Sequence, residues 1–126
     1  MKFSSYTFSP ALHESIREAG FTRPTDIQYK AIPPILKGED VLAIAQTGTG
    51  KTAAFAIPVI QLLESRKRTD NSTGLRCVVM VPTRELALQI SEVFRMLGQR
   101  SGLQVSCVFG GVEQDTQISA LLGGAD

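Results

Sequence analysis

The sequence predicts an α/β fold in which parallel strands alternate with helices. Three apolar runs of strand length, at 41–45, 76–81 and 104–109, are each followed by apolar residues at helical spacing. The run at 76–81 is continuously apolar after Arg76, which is typical of a strand that is buried on both faces. Strand–helix–strand units of this kind join parallel strands by right-handed crossovers. We therefore expect a parallel sheet with flanking helices.

Two helices are predicted before the first strand. Ser9 is a suitable N-cap with Pro10 at the first helical position, and Gly20 ends this helix. The second helix begins at Thr25-Asp26-Ile27-Gln28, a capping box in which the threonine side chain accepts from a backbone N–H and the glutamine reaches back. The pair Pro33-Pro34 is expected to kink or shorten this helix.

Three more helices are predicted after the strands. The first runs from Lys51 to about Arg66, the second is capped by Thr83, and the third precedes the two glycines at 123–124. The residues expected to face inward in the last helix are Ile118, Leu121 and Leu122. Residues 67–74 are polar and rich in turn formers, so a mobile surface loop is expected there.

Length and composition limit the function classes. A chain of 126 residues with 43% apolar content suits one globular domain, and a net charge of +1 gives no bulk signal for nucleic acid. Cys77 and Cys107 lie apart in apolar runs without metal-site spacing, and we interpret them as reduced core thiols. No run approaches the roughly 20 apolar residues of a membrane span, so a cytoplasmic protein without membrane contact is expected.

The strand at 41–45 leads into Ala45-Gln46-Thr47-Gly48-Thr49-Gly50-Lys51-Thr52, a stretch typical of phosphate binding. Its glycines permit a tight turn that aims backbone N–H groups, and the positive end of the following helix, at one point. Lys51 would reach the β- and γ-phosphates, and the hydroxyl of Thr52 would bind Mg²⁺. The general pattern has glycine where this chain has Ala45. The alternative is a glycine-rich turn with a surface lysine.

Two further loops are expected beside this one, because ligands of parallel sheets bind outside the carboxyl ends of the strands. They are Pro82-Thr83-Arg84-Glu85 and Gly110-Gly111. A helix N-terminus with an arginine, and a bare glycine backbone, suit a second, extended phosphate backbone.

Together these motifs resemble those of a DEAD-box RNA helicase, in the amino-terminal part of its first RecA-like domain. Gly20-Phe21-Thr22-Arg23-Pro24-Thr25-Asp26-Ile27-Gln28 is similar to the Q motif, with Asp26 in place of the usual proline. Ala45 to Thr52 is similar to the phosphate loop AxTGxGKT, which accounts for the alanine. Pro82-Thr83-Arg84-Glu85-Leu86-Ala87 matches PTRELA, and Gly110-Gly111 matches the GG motif.

The resemblance implies ATP and Mg²⁺ as cofactors and RNA, held by sequence-independent backbone contacts, as partner. The implied ATP-binding residues are Phe3, Phe21, Arg23, Thr25, Gln28, Gln46, Thr47, Gly48, Thr49, Gly50, Lys51, Thr52 and Ala53, of which Lys51 and Thr52 are catalytic and Thr52 contacts Mg²⁺ bound to ATP. The implied RNA-binding residues are Pro82, Thr83, Arg84, Gly110 and Gly111.

Several of these residues have a structural alternative. Phe3, seventeen residues before Gly20, would stack on adenine, but it could equally be a core-packed or disordered terminal aromatic. Gln28 would hydrogen-bond the edge of adenine, and it also fits the capping box. Thr83 could be a simple N-cap and Arg84 a solvated side chain.

Neither D-E-A-D nor S-A-T occurs in the sequence, so a RecA-like domain truncated before those two strands is expected. Residues 1–40 would form the Q-motif region and residues 41–126 a partial ATP-binding domain. Without neighbouring strands, residues 41–45 would expose apolar side chains, and the chain would rearrange, self-associate or stay only partly ordered. The implied function is that of an ATP-dependent RNA helicase, with the chain alone inactive. The alternatives are a non-catalytic nucleotide- or RNA-binding module and an unrelated P-loop ATPase.

Overall fold

The computed structural model describes residues 1–66 and 74–126, so all of the loop expected at 67–74 except Gly74 lies outside the described residues. Within the described residues there are five α-helices: α1 (Pro10–Glu18), α2 (Asp26–Leu36), α3 (Lys51–Ser65), α4 (Arg84–Gly98) and α5 (Gln114–Leu122). Short 3₁₀ turns occur at Phe3–Ser5 and Gln99–Ser101.

The helix starts agree with the sequence predictions, because local capping sets them. The Ser9 hydroxyl accepts from the N–H of Leu12 (3.1 Å), which satisfies one of the unpaired donors of the first turn of α1. Thr83 caps α4 in the same way, accepting from Leu86 N–H at 3.2 Å. Helix α2 contains Pro33-Pro34 and still reaches Leu36, so the prolines do not end it early.

The core is a cluster of apolar side chains between α1, α2, α3 and α4. Helix α3 packs against both α2 and α4, and α1 packs against α4 and the turn at Gln99–Ser101. The largest apolar side chains without exposed surface are Leu12, Ile16, Ile32, Ile57, Ile60 and Leu97. Fully burying one side chain of this size contributes about 1.5–3 kcal/mol. Because both predicted regions, 1–40 and 41–126, supply core residues, the division between them remains a prediction.

The predicted strands are not formed: no β-strand occurs within residues 1–66 and 74–126. The burial expected for 76–81 is also wrong, because Val78 and Met80 are 71% and 90% exposed. In the segment at 41–45, Leu42 and Ile44 are 91% and 88% exposed. The exposure of the segment at 41–45 is what the sequence predicts for a strand without neighbours. The same argument extends to 76–81, whose continuous apolar character needs covering elements on both sides.

One residue shows how the segments at 76–81 and 104–109 relate to each other. Asp126 donates its N–H to the Gln104 carbonyl (2.8 Å), and its own carbonyl accepts from the N–H groups of Arg76 and Cys77 (2.8 Å each). Its carboxylate also accepts from the Arg76 guanidinium at 3.1 and 2.5 Å. The two segments thus lie on either side of Asp126, and both line a cavity of about 660 Å³.

Two other expectations need correction. Helix α5 has no buried residue, and Ile118 and Leu122 are 47% and 78% exposed instead of facing inward, because the sheet face that they would cover is not formed. Cys77 and Cys107 are free thiols, as predicted, but they are only partly buried. Partial burial raises the pKa of the Cys77 thiol, which favours its neutral form.

Among the described residues, no helix combines the length and hydropathy that crossing a bilayer requires.

Candidate functional site

The phosphate loop turns into α3 through two glycines in the left-handed region. Gly48 and Gly50 both have φ +82°, a conformation that strains other residues. The Thr49 hydroxyl donates to the Gln46 carbonyl (2.6 Å) and closes the turn. Gly50 is the N-cap of α3 and supplies no capping side chain, so the first N–H groups of the helix are not satisfied by a cap. This is the geometry in which a helix N-terminus receives an anion.

Lys51 lies across this loop. Its Nζ donates to the carbonyl of Ala45 at 2.8 Å, and the side chain is exposed. A phosphate that entered the loop would compete for the ammonium group with one neutral carbonyl, which is a weaker partner than an anion. Thr52 follows on the first turn and is half-buried, whereas the side chain of Ala53 is in the core at 5% exposure. Only the backbone of Ala53 is therefore suited to the nucleotide contact predicted for it.

The capping box at the start of α2 is present in full. Gln28 N–H donates to the Thr25 hydroxyl (3.5 Å), and Thr25 N–H donates to Gln28 Oε1 (2.9 Å). The Gln28 amide also donates through Nε2 to the carbonyl of Gly50 (3.2 Å). Gln28 is 3% exposed, so this buried amide joins the start of α2 directly to the phosphate loop. The sequence pattern did not indicate this contact.

The aromatic residue expected to stack on adenine lies in the core. Phe3 is 2% exposed, and its ring centroid lies 6.0 Å from that of Tyr6 and 6.2 Å from that of Phe21. The core-packed alternative therefore describes this structure, and stacking on adenine would require the Phe3 ring to leave its packing. Phe21 is half-buried and Arg23 is exposed. The contacts of these three residues with a nucleotide remain predictions.

The residues predicted to bind RNA form a second group. Arg84 donates from Nη2 to the carbonyl of Gly110 (2.8 Å), which brings together two motifs that are 26 residues apart. Gly111 has φ +79°, and a β-carbon at this position would lie 3.3 Å from Arg84 Nη2. Pro82, Thr83, Arg84, Gly110 and Gly111 are all exposed. The loops at 82–85 and 110–111 therefore meet directly. Among the described residues, no hydrogen bond joins either of them to the phosphate loop.

Two residues near this group were missed by sequence reasoning. The Arg84 guanidinium carbon lies 5.3 Å from the centroid of the Phe109 ring, and Phe109 N–H donates to Gln117 Oε1 at 2.7 Å. Phe109 was interpreted only as the end of a strand. The sequence feature that could have identified Phe109 is its position as an aromatic residue directly before Gly110-Gly111.

Metal binding by side chains alone is not indicated. The described residues contain no group of three or more histidine, cysteine, aspartate or glutamate side chains able to hold a metal ion. The hydroxyl oxygen of Thr52 is a suitable single ligand for Mg²⁺ that arrives bound to nucleotide phosphates. The residues present therefore fit a metal carried by the nucleotide.

Comparison with known proteins relates most of the chain to one family. The DEAD/DEAH box helicase family model matches residues 25–126. The ATP-dependent rRNA helicase RRP3 of Yarrowia lipolytica is 52% identical over 108 residues, which is 86% of this chain and 22% of that protein. The DEAD-box ATP-dependent RNA helicase RhpA of Helicobacter pylori is 47% identical over 109 residues, 86% of this chain and 21% of that protein. The chain thus spans less than a quarter of the length of these two relatives.

Solved structures show the same similarity in three dimensions. A DEAD box protein of Methanococcus jannaschii superposes with a TM-score of 0.88 at 37% identity, covering 99% of this chain and 33% of that one. The RNA helicase Prp28 of Chaetomium thermophilum, bound to ADP, gives a TM-score of 0.84 at 32% identity, covering 98% of this chain and 30% of that one. The overall path of the chain therefore follows that of these proteins.

Proposed function

The chain belongs to the DEAD/DEAH box helicase family, and from this premise we propose that it supplies the nucleotide-binding and part of the RNA-binding surface of an ATP-dependent RNA helicase. The complete protein would couple ATP binding and hydrolysis to local separation of RNA strands. The observation that carries the proposal is the uncapped start of α3, where Lys51 lies over the phosphate loop and Gln28 reaches the Gly50 carbonyl. In the complete protein we expect the apolar segments to pair in a RecA-like parallel sheet.

On this proposal the ATP phosphates lie against the backbone N–H groups of Gln46 to Gly50 and the first turn of α3. Lys51 would exchange the Ala45 carbonyl for the β- and γ-phosphates, and Thr52 would hold Mg²⁺ together with the phosphate oxygens. Phe21, Arg23 and Gln28 would lie toward the adenine. Phosphoryl transfer depends mainly on positioning and charge stabilisation, which these groups are placed to provide.

We propose that the chain by itself binds nucleotide but does not hydrolyse it. For the chain alone, this corresponds to the alternative of a non-catalytic nucleotide-binding module. The relevant observation is the absence of an acidic cluster among the described residues together with the absence of a D-E-A-D sequence. Family membership removes the third alternative, an unrelated P-loop ATPase.

The RNA contact is proposed to be independent of sequence, because Thr83, Arg84 and the glycine backbone offer only groups that bind phosphate and sugar. Replacing Arg84 by alanine in the complete protein is expected to weaken binding of all RNAs to a similar degree. The slope of log K against log salt should become less steep by about 0.7, the contribution of one phosphate contact in single-stranded RNA. Binding to two unrelated RNAs over a salt series measures both. Lys37→Ala, which removes an exposed cation outside both the predicted RNA-binding and ATP-binding groups, is the control for bulk charge. A loss that depends on RNA sequence would contradict the proposal.

The 126-residue chain alone is expected to self-associate, because its unpaired segments expose contiguous apolar side chains. Sedimentation at micromolar concentration should show a dimer or larger species. Replacing Leu42 and Met80 together by serine should shift it toward monomer, since these side chains are about nine-tenths exposed in the unpaired segments. Leu122→Ser is the matched control, because Leu122 is also highly exposed but lies on α5. A compact monomer of the unsubstituted chain would contradict the expectation.

A further inference from the structure

Phe109 lies beneath the arginine of the proposed RNA surface. The half-buried ring faces the Arg84 guanidinium, whose central carbon is 5.3 Å from the ring centroid. This distance is within the range in which the negative face of an aromatic ring attracts a cation. The Gly110 carbonyl accepts from Nη2 of the same guanidinium at 2.8 Å. The group is therefore held from two directions, by a ring and by a carbonyl.

The two contacts leave most of the guanidinium available. An arginine side chain has five N–H donors in a rigid fork, and the carbonyl of Gly110 uses one direction of that fork. The described residues supply Arg84 with no carboxylate partner, and the side chain is exposed. A side chain restrained in this way loses less conformational freedom when it binds phosphate than an unrestrained one does.

Phe109 is itself fixed by α5. Its N–H donates to Gln117 Oε1 at 2.7 Å, which ties the residue before Gly110-Gly111 to that helix. Helix α5 has no buried residue, so this hydrogen bond is not a by-product of extensive packing of the helix against the core. Gln117 is half-buried, whereas Gln114 on the same helix is exposed.

We propose that Phe109 is a positioning residue that holds the Arg84 guanidinium in place for an RNA phosphate, and that Gln117 holds Phe109 for this purpose. This inference rests on the proposed RNA contact of Arg84 and adds to it the residues that orient the arginine. Phe109 acts through the face of its ring, so tyrosine should replace it and leucine should not.

The experiment measures RNA affinity over a salt series in the complete protein, using a single-stranded RNA. The variants are Phe109→Leu, Phe109→Tyr, Arg84→Ala and the double variant Arg84→Ala/Phe109→Leu. Phe109→Leu is expected to weaken binding about two- to fivefold, the size of an exposed cation–π contact, while Phe109→Tyr stays close to the unsubstituted protein. In the Arg84→Ala background, Phe109→Leu should have no further effect.

Comparing the single variants with the double variant separates the failure of this inference from the failure of the proposed function. If Arg84→Ala does not change affinity or salt dependence, the proposed RNA contact is wrong. If Arg84→Ala weakens binding but Phe109→Leu does not, or if Phe109→Leu weakens it equally in both backgrounds, only the positioning role is wrong. An equal effect of Phe109→Leu in both backgrounds would indicate general destabilisation, which thermal unfolding of each variant measures independently.

Gln117 is tested in the same assay against a neighbour on its own helix. Gln117→Ala should weaken RNA binding in the same direction as Phe109→Leu, and Gln114→Ala should not. An equal effect of the two glutamine substitutions would overturn the role of Gln117.

Discussion

Replacing Lys51 by alanine is expected to reduce ATP turnover by the complete protein by about a hundredfold or more. Removing a group that stabilises developing charge commonly costs about 2.7–4 kcal/mol in the transition state. Lys51 is placed for this role, because its Nζ lies over the phosphate loop and is held only by the Ala45 carbonyl among the described residues. Steady-state ATP hydrolysis, with and without RNA, is the measurement.

The fold should survive this substitution. Lys51 is exposed, and its hydrogen bond to a backbone carbonyl is a surface contact, so the free energy of unfolding should change by less than about 1 kcal/mol. Lys37→Ala is the matched control, because Lys37 is also an exposed lysine but lies at the end of α2, outside the phosphate loop. ATP turnover by Lys51→Ala within a few-fold of the unsubstituted protein would show that Lys51 has no catalytic role.

The helices could be predicted from the sequence because their signals are local. Ser9, Thr25 and Thr83 each cap a helix through an N–H three residues later, so a short stretch of sequence contains the whole interaction. Capping by Thr25 and Gln28 is an example in which both partners of the box were read directly from the pattern.

The strands could not be predicted in the same way, because a strand depends on partners that are distant in sequence. The apolar segments at 41–45 and 76–81 have strand composition, yet their side chains are largely exposed and neither segment forms a β-strand in the described part of the chain. Asp126 shows what is required, because its backbone joins Gln104 to Arg76 and Cys77 across the space between the segments at 104–109 and 76–81. Composition indicates what a strand could be, and a neighbour determines whether it forms.

The site shows the same division. The glycine turn and the start of α3 at Lys51 follow from local sequence. The hydrogen bonds from Gln28 to Gly50 and from Arg84 to Gly110 join residues that are 22 and 26 apart in sequence, and neither is indicated by spacing. Phe3 illustrates the limit of motif reasoning, since the same residue type at the same position can bind a base or fill the core.

The contact between Gln28 and Gly50 leads to the last prediction, that Gly50→Ala will both destabilise the fold and weaken ATP binding. A β-carbon at residue 50 would lie 2.4 Å from Gln28 Nε2, closer than real β-carbons approach other atoms. Gln28 cannot move cheaply, because it is 3% exposed and its Oε1 accepts from Thr25 N–H. The φ of +82° adds about 1–2 kcal/mol of strain, and the lost hydrogen bond adds about 0.5–1.5 kcal/mol.

Three companion variants separate these contributions in urea unfolding and ATP-binding measurements. Gly48→Ala has the same φ of +82° but no atom within 4 Å of its β-carbon, so it should show the backbone strain alone and be the less destabilised variant. In Gly50→Ala/Gln28→Ala the colliding amide is absent, so the combined loss should be smaller than the sum of the two single losses. Gln28→Ala alone also tests the adenine contact: loss of stability with an unchanged ATP-to-GTP preference would assign Gln28 to capping and loop support only. Equal destabilisation by Gly48→Ala and Gly50→Ala would show that the buried amide does not constrain the loop, because strain at the left-handed glycines would then account for the whole effect.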